Sequence, residues 1–489
     1  MLGPPKARDL GRSVLMSLES AVPPNHFYRH LERTLDLAFV RDLAADCYAR
    51  GGRPSVDPVV FFKLHLIMFF EGLRSERKLI EIASLNLAHR WYLGYNLDEP
   101  LPDHSSLSKI RARLGLSVFR RFFNAIVTQC AQAGLVWGKE LIFDATKVRA
   151  NASMDSLTPV LRLVVDDHLA ALVQAESPEE APPWDVLEQC RLDPDRLLTL
   201  YYERKSDQWT SSTNPDAALI KPQGAQACLG YQDHYVVDGG KARIILHALV
   251  TPGDVMENQP MLDLLRRVMT RWRLRPKRVI ADTTYGTIDN IRVLEGEEHI
   301  CAYVPLPDWE HKTAYYGPGQ FRYDAVQNVY VCPQGALLHP YRQEWKAEKT
   351  EYRADAAVCH VCPRKKDCTP SNHGRQVHRS FHAEYLDRVR GYHETEEYQK
   401  AMRKRKVWIE PLFGEAKQWH GMRQFRLGFA EGEHGGAVDR GGTEPEAIAE
   451  RTGLGTTPLA GWNSWSHVSE GAYLLCTKMR VNSTGHSGA

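Results

Sequence analysis

The chain has 489 residues and a formal net charge of +2, and its composition is typical of a globular protein in water. This length exceeds what one hydrophobic core usually serves, so two or three domains are predicted. The near-neutral balance excludes a uniformly basic nucleic-acid-binding protein, and any basic surface must be local. The N-terminal residues lack the apolar segment of a secretory signal, and no apolar run is long enough to span a bilayer. A cytoplasmic protein without a membrane partner is predicted.

The first predicted unit is helical and covers residues 26–135. Asp57 and Pro58 offer an N-cap and a first-turn proline to one helix, and a second helix is predicted from Glu76 to about Leu93. A third helix is predicted to begin near Asp103. It carries three basic residues, Lys109, Arg111 and Arg113. Such charges usually line a solvated face, but they also suit contacts to DNA phosphates and a major groove.

Strands and helices alternate in the next unit, which predicts a mixed α/β domain. An apolar strand ends on Asp144, and a hairpin is predicted around Asp238-Gly239-Gly240-Lys241. A second apolar strand ends on Asp282, and a short strand within HICAYVPL follows one more helix. The proline- and acid-rich stretch at 175–185 is predicted to be a linker or a surface excursion.

Asp144 and Asp282 each end an apolar run. Either carboxylate alone is most simply explained as a turn cap, since aspartate is a common turn residue. If the two strands are neighbours, the carboxylates converge at one sheet edge and suit Mg²⁺, which prefers oxygen ligands. Two such ions can activate water and stabilise the leaving oxygen of a phosphodiester. Four rival acidic or ligand positions each fit surface or turn roles better: Asp233, His234, Asp254 and Glu257.

A third carboxylate, that of Glu410, lies in a predicted helix from about Glu394 to Trp419. Lys417 lies two helical turns beyond Glu410 on the same face. A basic run from Arg403 to Lys406 precedes it, and such runs usually form solvated helix surfaces. The apolar residues on both sides of Glu410 predict instead that it lies near a buried boundary.

Four segments together resemble the DDE transposases of bacterial insertion sequences, in the group with an N-terminal helical domain. They are PDHSSLSKIRARL at 102–114, DATKVRANAS at 144–153, ADTTYGT at 281–287 and the run from Glu410 to Lys417. The resemblance covers residues from about 26 to 427. It implies an RNase H-like core of mixed sheet, made of residues 139–306 and 385–427. The helical unit at 26–135 would then help to bind the ends of the element.

The resemblance also assigns roles to single residues. Asp144, Asp282 and Glu410 would be the catalytic ligands of two Mg²⁺ or Mn²⁺ ions, and Lys417 would contact DNA. The broader family places a tyrosine and an arginine before the glutamate, where this chain has Arg403 and Lys406. One positive charge is therefore kept and the aromatic ring is lost, and both basic residues are candidate DNA contacts.

A cysteine-containing insertion is predicted at 307–384, before the glutamate. Its four cysteines, Cys332, Cys359, Cys362 and Cys368, follow the spacing C-x26-C-x2-C-x5-C. The C-x2-C step is a familiar zinc half-site, while the other spacings are irregular, so structural Zn²⁺ and free thiols are equally supported. In a reducing compartment, such clustering suggests metal before disulfides.

The composition changes after Leu427, where a glycine-rich tail of weak periodicity occupies residues 428–489. Such composition is typical of disorder. A reading-frame shift is a second interpretation. Dropping one base from a back-translation of Glu431–Arg440 gives KVNMEALLIA, the start of an amphipathic helix that resembles the usual end of these transposases. A shifted copy would keep all three carboxylates and lose the last helix of the core.

The sequence therefore predicts a transposase that cleaves and joins DNA with the help of Mg²⁺. Its partners would be double-stranded DNA, as terminal inverted repeats and as target, and a second copy of the chain, since two element ends must be paired. Two alternatives stay open. One is a nuclease without strand transfer, and the other is an inactive or domesticated relic that only binds DNA.

Overall fold

The structure, a computed structural model, describes residues 13–159, 202–307 and 314–425 except positions 50, 53, 206, 207 and 223, and also residues 3, 11 and 312. The stretch at 175–185 and the tail at 428–489 lie outside these residues. Among the residues described, no helix is both long enough and apolar enough to cross a membrane.

The N-terminal part of the described chain is helical, as predicted. Its α-helices are α1 (Leu18–Ala21), α2 (Phe27–Thr34), α3 (Phe39–Ala44), α4 (Pro58–Phe70), α5 (Glu76–Leu85), α6 (Leu87–Leu93) and α7 (His104–Gln132). Asp57 caps α4 by accepting a hydrogen bond from the Val59 amide, and Pro58 fills its first turn. Buried residues lie all round α4, which is typical of a helix at the centre of a core.

The second predicted helix is in fact two helices, α5 and α6. The chain is extended at Asn86, whose side-chain oxygen accepts from the amides of Ala88 and His89. Asparagine is a strong N-cap because its side chain replaces the missing helical acceptor. The continuous apolar periodicity across Asn86 concealed this second start.

A six-stranded mixed sheet follows the helices. Its strands are β1 (Glu140–Arg149), β4 (Ala218–Ile220), β5 (Cys228–Asp238), β6 (Ile245–Pro252), β7 (Arg278–Ile280) and β8 (Cys301–Tyr303). The order is β4-β5-β1-β7-β8, with β6 also paired to β5. β1 is antiparallel to β5 and parallel to β7, and β8 is parallel to β7. A separate pair, β2 (Leu157–Pro159) and β3 (Trp209–Ser211), lies outside this sheet.

The hairpin predicted around Asp238 joins β5 and β6. The Asp238 carboxylate accepts hydrogen bonds from the amides of Trp137, Gly138 and Gly240, at 3.0, 2.7 and 2.9 Å. A buried carboxylate that accepts several amide hydrogen bonds holds a turn firmly. Asp238 therefore fixes the end of the hairpin and the entry into β1.

Helices cover the mixed sheet. They are α8 (Met261–Trp272), α9 (Ile288–Arg292), α12 (Ala383–His393), α13 (Glu396–Trp408) and α14 (Glu410–Gln418). One continuous hydrophobic core joins the N-terminal helices to this sheet and its helices. The long helix predicted from Glu394 to Trp419 is interrupted at Ile409, because Pro411 has no amide hydrogen and belongs in a first turn.

A second, smaller sheet lies within residues 322–380. Its strands are β9 (Arg322–Asp324), β10 (Val329–Val331), β11 (Leu337–Glu344), β12 (Lys349–Ala354) and β13 (Gln376–Ser380), with the short helices α10 (Ala356–His360) and α11 (Lys365–Cys368) after β12. The strands are antiparallel in the order β13-β12-β11-β10-β9. This sheet has its own small core, separate from the main one: Phe321, Tyr330, Leu338, Tyr352, Ala354 and Val377.

Candidate active site

Two aspartates occupy matching positions on neighbouring parallel strands, Asp144 within β1 and Asp282 just beyond the end of β7. β1 and β7 pair with Ile142 opposite Ile280, and each aspartate follows two residues further along. Asp282 also caps the next turn, since its carboxylate accepts from the Thr284 amide at 2.8 Å. Both sequence interpretations therefore hold for Asp282, as a turn cap and as a member of a convergent pair.

Arg405 of α13 extends into the space between the two carboxylates. A terminal nitrogen of its guanidinium lies 2.8 Å from Oδ2 of Asp144 and 3.8 Å from Oδ2 of Asp282. The side chains of Arg405 and Asp144 are only 12% and 11% exposed. Burial raises the pKa of Asp144 to about 6, against the lowering effect of Arg405. The site thus holds one buried cation between two carboxylates.

A further carboxylate, that of Glu257, belongs to the same electrostatic neighbourhood. Glu257 is half-buried in the segment between β6 and α8. Its pKa is raised by burial and then by the negative charges of Asp282 and Asp144. Burial raises the pKa of Tyr285, and the charges of Asp144, Glu257 and Asp282 raise it further. The sequence favoured a surface or turn role for Glu257, because no strand ends on it and no periodic pattern marks it.

Helices α13 and α14 direct three basic side chains at β1. Lys404 pairs with Glu140 at 2.5 Å, Arg405 pairs with Asp144, and Lys417 donates a hydrogen bond to the Thr146 hydroxyl. The contacted β1 residues are separated by even numbers of positions, so they share one face of the sheet. On that face the rings of Tyr235 and Phe413 also stack, with centroids 4.5 Å apart.

Glu410 begins α14, and its side chain is exposed. The prediction that it lies near a buried boundary is wrong for the side chain, although its neighbours Ile409, Leu412 and Phe413 are buried. Glu410 lies two turns before Lys417, on the helix face that approaches β1. Among the residues described, no three acidic, histidine or cysteine side chains form a group that could hold a metal ion. The three predicted ligands are thus not gathered into one cluster.

The Asp144–Asp282 pair nevertheless fits a hard divalent cation. Mg²⁺ binds through one or two carboxylates together with substrate phosphates, and does not need a complete protein cage. The two carboxylates already converge on a positive group, that of Arg405. These two side chains would hold the ion, and Glu257, whose pKa responds to both of their charges, is the acidic residue beside them.

The other rival positions serve the structure. Asp254 is buried and pairs with Arg204 at 2.9 Å. His234 is fully buried and shares a hydrogen bond of 2.9 Å with the Thr251 hydroxyl, and burial lowers its pKa to about 3. Asp233 is buried opposite Thr146 in the β1–β5 register, and its charge attracts the Lys417 ammonium.

The three basic residues predicted on one exposed helix face are divided by the fold. Lys109 and Arg113, one turn apart on α7, are exposed. Arg111 is 2% exposed and forms an ion pair with Glu76 of α5. The prediction of a DNA contact for Arg111 is therefore corrected, because its charge is already neutralised inside the core. Arg111 is two positions from both Lys109 and Arg113, so its side chain points to the opposite side of the helix.

The basic run before Glu410 is divided in the same way. Arg403 and Lys406 are exposed, whereas Lys404 and Arg405 are directed to β1. Lys417 is half-buried, and burial lowers its pKa. The two residues predicted as DNA contacts in this run thus lie on the surface, while the sequence did not single out the residue that reaches the aspartates.

The four clustered cysteines border the core of the small sheet. Cys332, Cys359 and Cys368 pack against it, and all four are free thiols. The pKa of the Cys368 thiol is raised by burial, and the other three sulfurs raise it further. The Ala336 amide donates to Sγ of Cys332 at 3.2 Å in a tight turn through Gly335. The thiols therefore come near one another without forming a ready metal centre in the described chain.

Two family models match the chain. A transposase domain (DUF772) matches residues 16–113, and a transposase DDE domain matches residues 331–431. Both are transposase domains, and together they indicate a DDE transposase of the insertion-sequence type. The first match lies in the helical region of the chain, and the second contains the small sheet from β11 onward, Glu410 and Lys417. Asp144 and Asp282 lie outside both matched ranges, so their assignment depends on their geometry.

No curated protein matches this transposase. A solved structure that does match is the cryo-EM structure of the piggyBac transposase synaptic complex with hairpin DNA, at 9% sequence identity and a TM-score of 0.33. That match covers 94% of this chain and 75% of the other.

Proposed function

We propose that this transposase catalyses metal-dependent cleavage and strand transfer of the DNA of an insertion sequence. The observation that carries the proposal is the Asp144–Asp282 pair, which lies at matching positions in β1 and just after β7 and approaches one positive group. Carboxylates in this arrangement suit divalent metal ions, and such ions suit phosphodiester chemistry.

The strand order supports an RNase H-like core within this proposal. Three antiparallel strands, β6, β5 and β1, are followed by β7 and β8, which add in parallel on the far side of β1. The first aspartate lies on the central strand and the second follows the next strand in the sheet. We assign the core to residues 139–306 and 385–427, with 307–384 as the insertion and 26–135 as the unit that helps to bind DNA ends.

Each residue of the site then has a proposed role. Asp144 and Asp282 hold the metal, and Glu410 completes the set from the helix face that approaches β1. A bound Mg²⁺ or a pair of such ions would supply an activated water and stabilise the leaving oxygen. Lys417, Lys406 and Arg403 would contact backbone phosphates beside this site, as would Lys109 and Arg113 on the helical unit. The paired ends of the element would require two copies of the chain.

The proposal is tested with linear DNA that carries the element and its flanking sequence. We expect this DNA to be cut at the element ends in Mg²⁺ or Mn²⁺ and not in EDTA, and the ends to be joined to a target plasmid. Cleavage without joined products would indicate a nuclease. Binding of the ends without cleavage would indicate an inactive relic. The altered tail after Leu427 is the feature of the sequence that favours this alternative.

The same assay addresses the tail. The DDE-domain match ends at residue 431, close to the change in composition after Leu427. A version whose second reading frame is restored after codon 430 should cleave faster than the present chain if the last helix was lost. Equal rates would discard the frameshift, and so would a gene sequence whose shifted frame encodes no helix.

Structural zinc at the four cysteines is the second metal proposal. Its support is that four free thiols lie near one another beside a core of six buried apolar residues in the described part of the small sheet. Small cores commonly need a metal or a disulfide. We expect elemental analysis of the purified chain to find zinc, and Cys362→Ser to lose it. Cys47→Ser, at a half-buried cysteine outside the cluster, is the matched control and should keep it. A zinc-free wild-type chain that folds normally refutes the proposal.

A further inference from the structure

Arg405 differs from the other basic residues around the site because its charge is enclosed with the two aspartates. Its guanidinium pairs with Asp144 at 2.8 Å and lies 3.8 Å from Asp282, and its side chain is 12% exposed. Its Nε is buried and has no hydrogen-bond partner among the described residues. The guanidinium is therefore held in this position mainly by the aspartates.

A divalent cation at the same carboxylates would compete with this arrangement. Oδ2 of Asp144 lies 2.8 Å from the guanidinium, so a metal ion bound at this oxygen would be strongly repelled by the Arg405 charge. Without any cation, the mostly buried Asp144 and the partly exposed Asp282 would repel each other, and burial would leave the Asp144 charge poorly hydrated. The two aspartates therefore need positive charge beside them, and the guanidinium must leave Oδ2 of Asp144 before a metal ion can bind there.

We propose that Arg405 is a positioning residue that holds Asp144 and Asp282 together in the metal-free chain and is displaced when a divalent cation binds. The inference depends on the proposed function, because it takes the aspartates as the metal ligands. If it is correct, the affinity of the site for metal depends on Arg405 as well as on the two ligands, because the metal must displace Arg405.

Lys404 supplies a matched control one position away on α13. Its ammonium pairs with Glu140 at 2.5 Å, and the two side chains are 19% and 9% exposed. Glu140 also pairs with Arg278 at 3.0 Å. Loss of Lys404 thus removes a mostly buried ion pair from the same helix and strand and leaves the aspartates unchanged.

The experiment measures the thermal midpoint of the full chain, without DNA, against Mg²⁺ concentration. The variants are Arg405→Gln and Lys404→Gln. We expect Arg405→Gln to have a lower midpoint than the wild type in EDTA and a larger rise in Mg²⁺. Its half-saturating Mg²⁺ concentration should fall at least about fivefold, which the repulsion of two unit charges about 4 Å apart would cause even in bulk water.

The controls separate this effect from a general loss of stability. Lys404→Gln should lower the midpoint by the same amount in EDTA and in Mg²⁺, with the wild-type half-saturating concentration. Arg405→Lys keeps the charge and should stay close to the wild type. An unchanged or higher half-saturating concentration in Arg405→Gln overturns the inference. If Arg405→Gln unfolds in EDTA, refolding by Mg²⁺ supports it, and failure to refold while Lys404→Gln stays folded contradicts it.

The failure of the proposed function gives a different result. Asp144→Asn in the same titration should abolish the Mg²⁺ response of the wild-type chain. If the wild type responds and Asp144→Asn responds equally, the metal binds elsewhere, and both the metal site and the role of Arg405 are lost. If the Mg²⁺ response requires Asp144 but Arg405→Gln does not lower the half-saturating Mg²⁺ concentration, the metal site is supported and only the role of Arg405 is refuted.

Discussion

Replacing Asp144 with asparagine should lower the rate of DNA cleavage by more than about 100-fold, the upper end of what is lost when a residue that merely orients a metal ligand is removed. Asparagine keeps the shape of the side chain and removes the charge that binds the cation. The fold should survive, because the Arg405 guanidinium keeps the Asp282 carboxylate, 3.8 Å away, as a second partner. The measurement is a single-turnover cleavage rate in Mg²⁺ on DNA carrying the element ends, with circular dichroism to confirm folding.

Matched variants identify which carboxylates act with Asp144. Asp289→Asn, at an exposed aspartate in the first turn of α9, should leave the cleavage rate unchanged. Asp282→Asn and Glu410→Gln should lose as much activity as Asp144→Asn. If Glu257→Gln loses as much activity and Glu410→Gln stays active, Glu257 is the third metal ligand and Glu410 is not. Normal cleavage by Asp144→Asn would refute the site altogether.

The largest effect on stability is expected from Arg111→Met. Arg111 pairs with Glu76 inside the helical region, and its guanidinium also donates to Nε2 of His65 at 3.1 Å. Burial and the Arg111 charge lower the pKa of His65 to about 3, so Arg111 is the cation that faces Glu76 in the intact chain near pH 7. Removing one partner of a buried ion pair costs about 3–5 kcal/mol. The measurement is chemical denaturation of the full chain.

Two comparisons show whether the lost pair is the cause. The double variant Arg111→Met with Glu76→Leu should recover much of the loss, because a well-packed apolar pair often replaces a buried ion pair at no cost. Arg113→Ala, which removes an exposed charge two residues away, should change the free energy of unfolding by less than about 0.5 kcal/mol. Equal destabilisation by Arg111→Met and Arg113→Ala would contradict the buried pair.

The sequence predicted local structure correctly where a single residue determines the backbone conformation, as in helix caps and tight turns. Asp57 with Pro58 determined where α4 begins, and Asp103 caps α7 as predicted. The hairpin at Asp238 follows from a turn-forming Asp-Gly-Gly between two strand-forming runs. Alternating strands and helices gave the mixed sheet, and the ends of two apolar runs gave Asp144 and Asp282. Each of these signals acts over a few residues, so no distant partner is needed to interpret it.

Only the tertiary structure decided which side of each helix is enclosed. The spacing of Lys109, Arg111 and Arg113 does not tell which of them meets the core, and the burial of Arg111 depends on Glu76 of another helix. The basic run before Glu410 is similar, since β1 selects Arg405 and Lys404 and leaves their neighbours exposed.

The site itself shows the same division between local and distant information. That Asp144 and Asp282 end apolar runs is a property of the sequence, whereas their meeting depends on the parallel pairing of β1 and β7 across more than a hundred residues. Glu257 had no local signal because its neighbours come from other parts of the chain. The sequence by itself determined which elements form and which residue types end them. The packing of those elements decided which charges face one another, because charges far apart in the sequence interact only once the chain is folded.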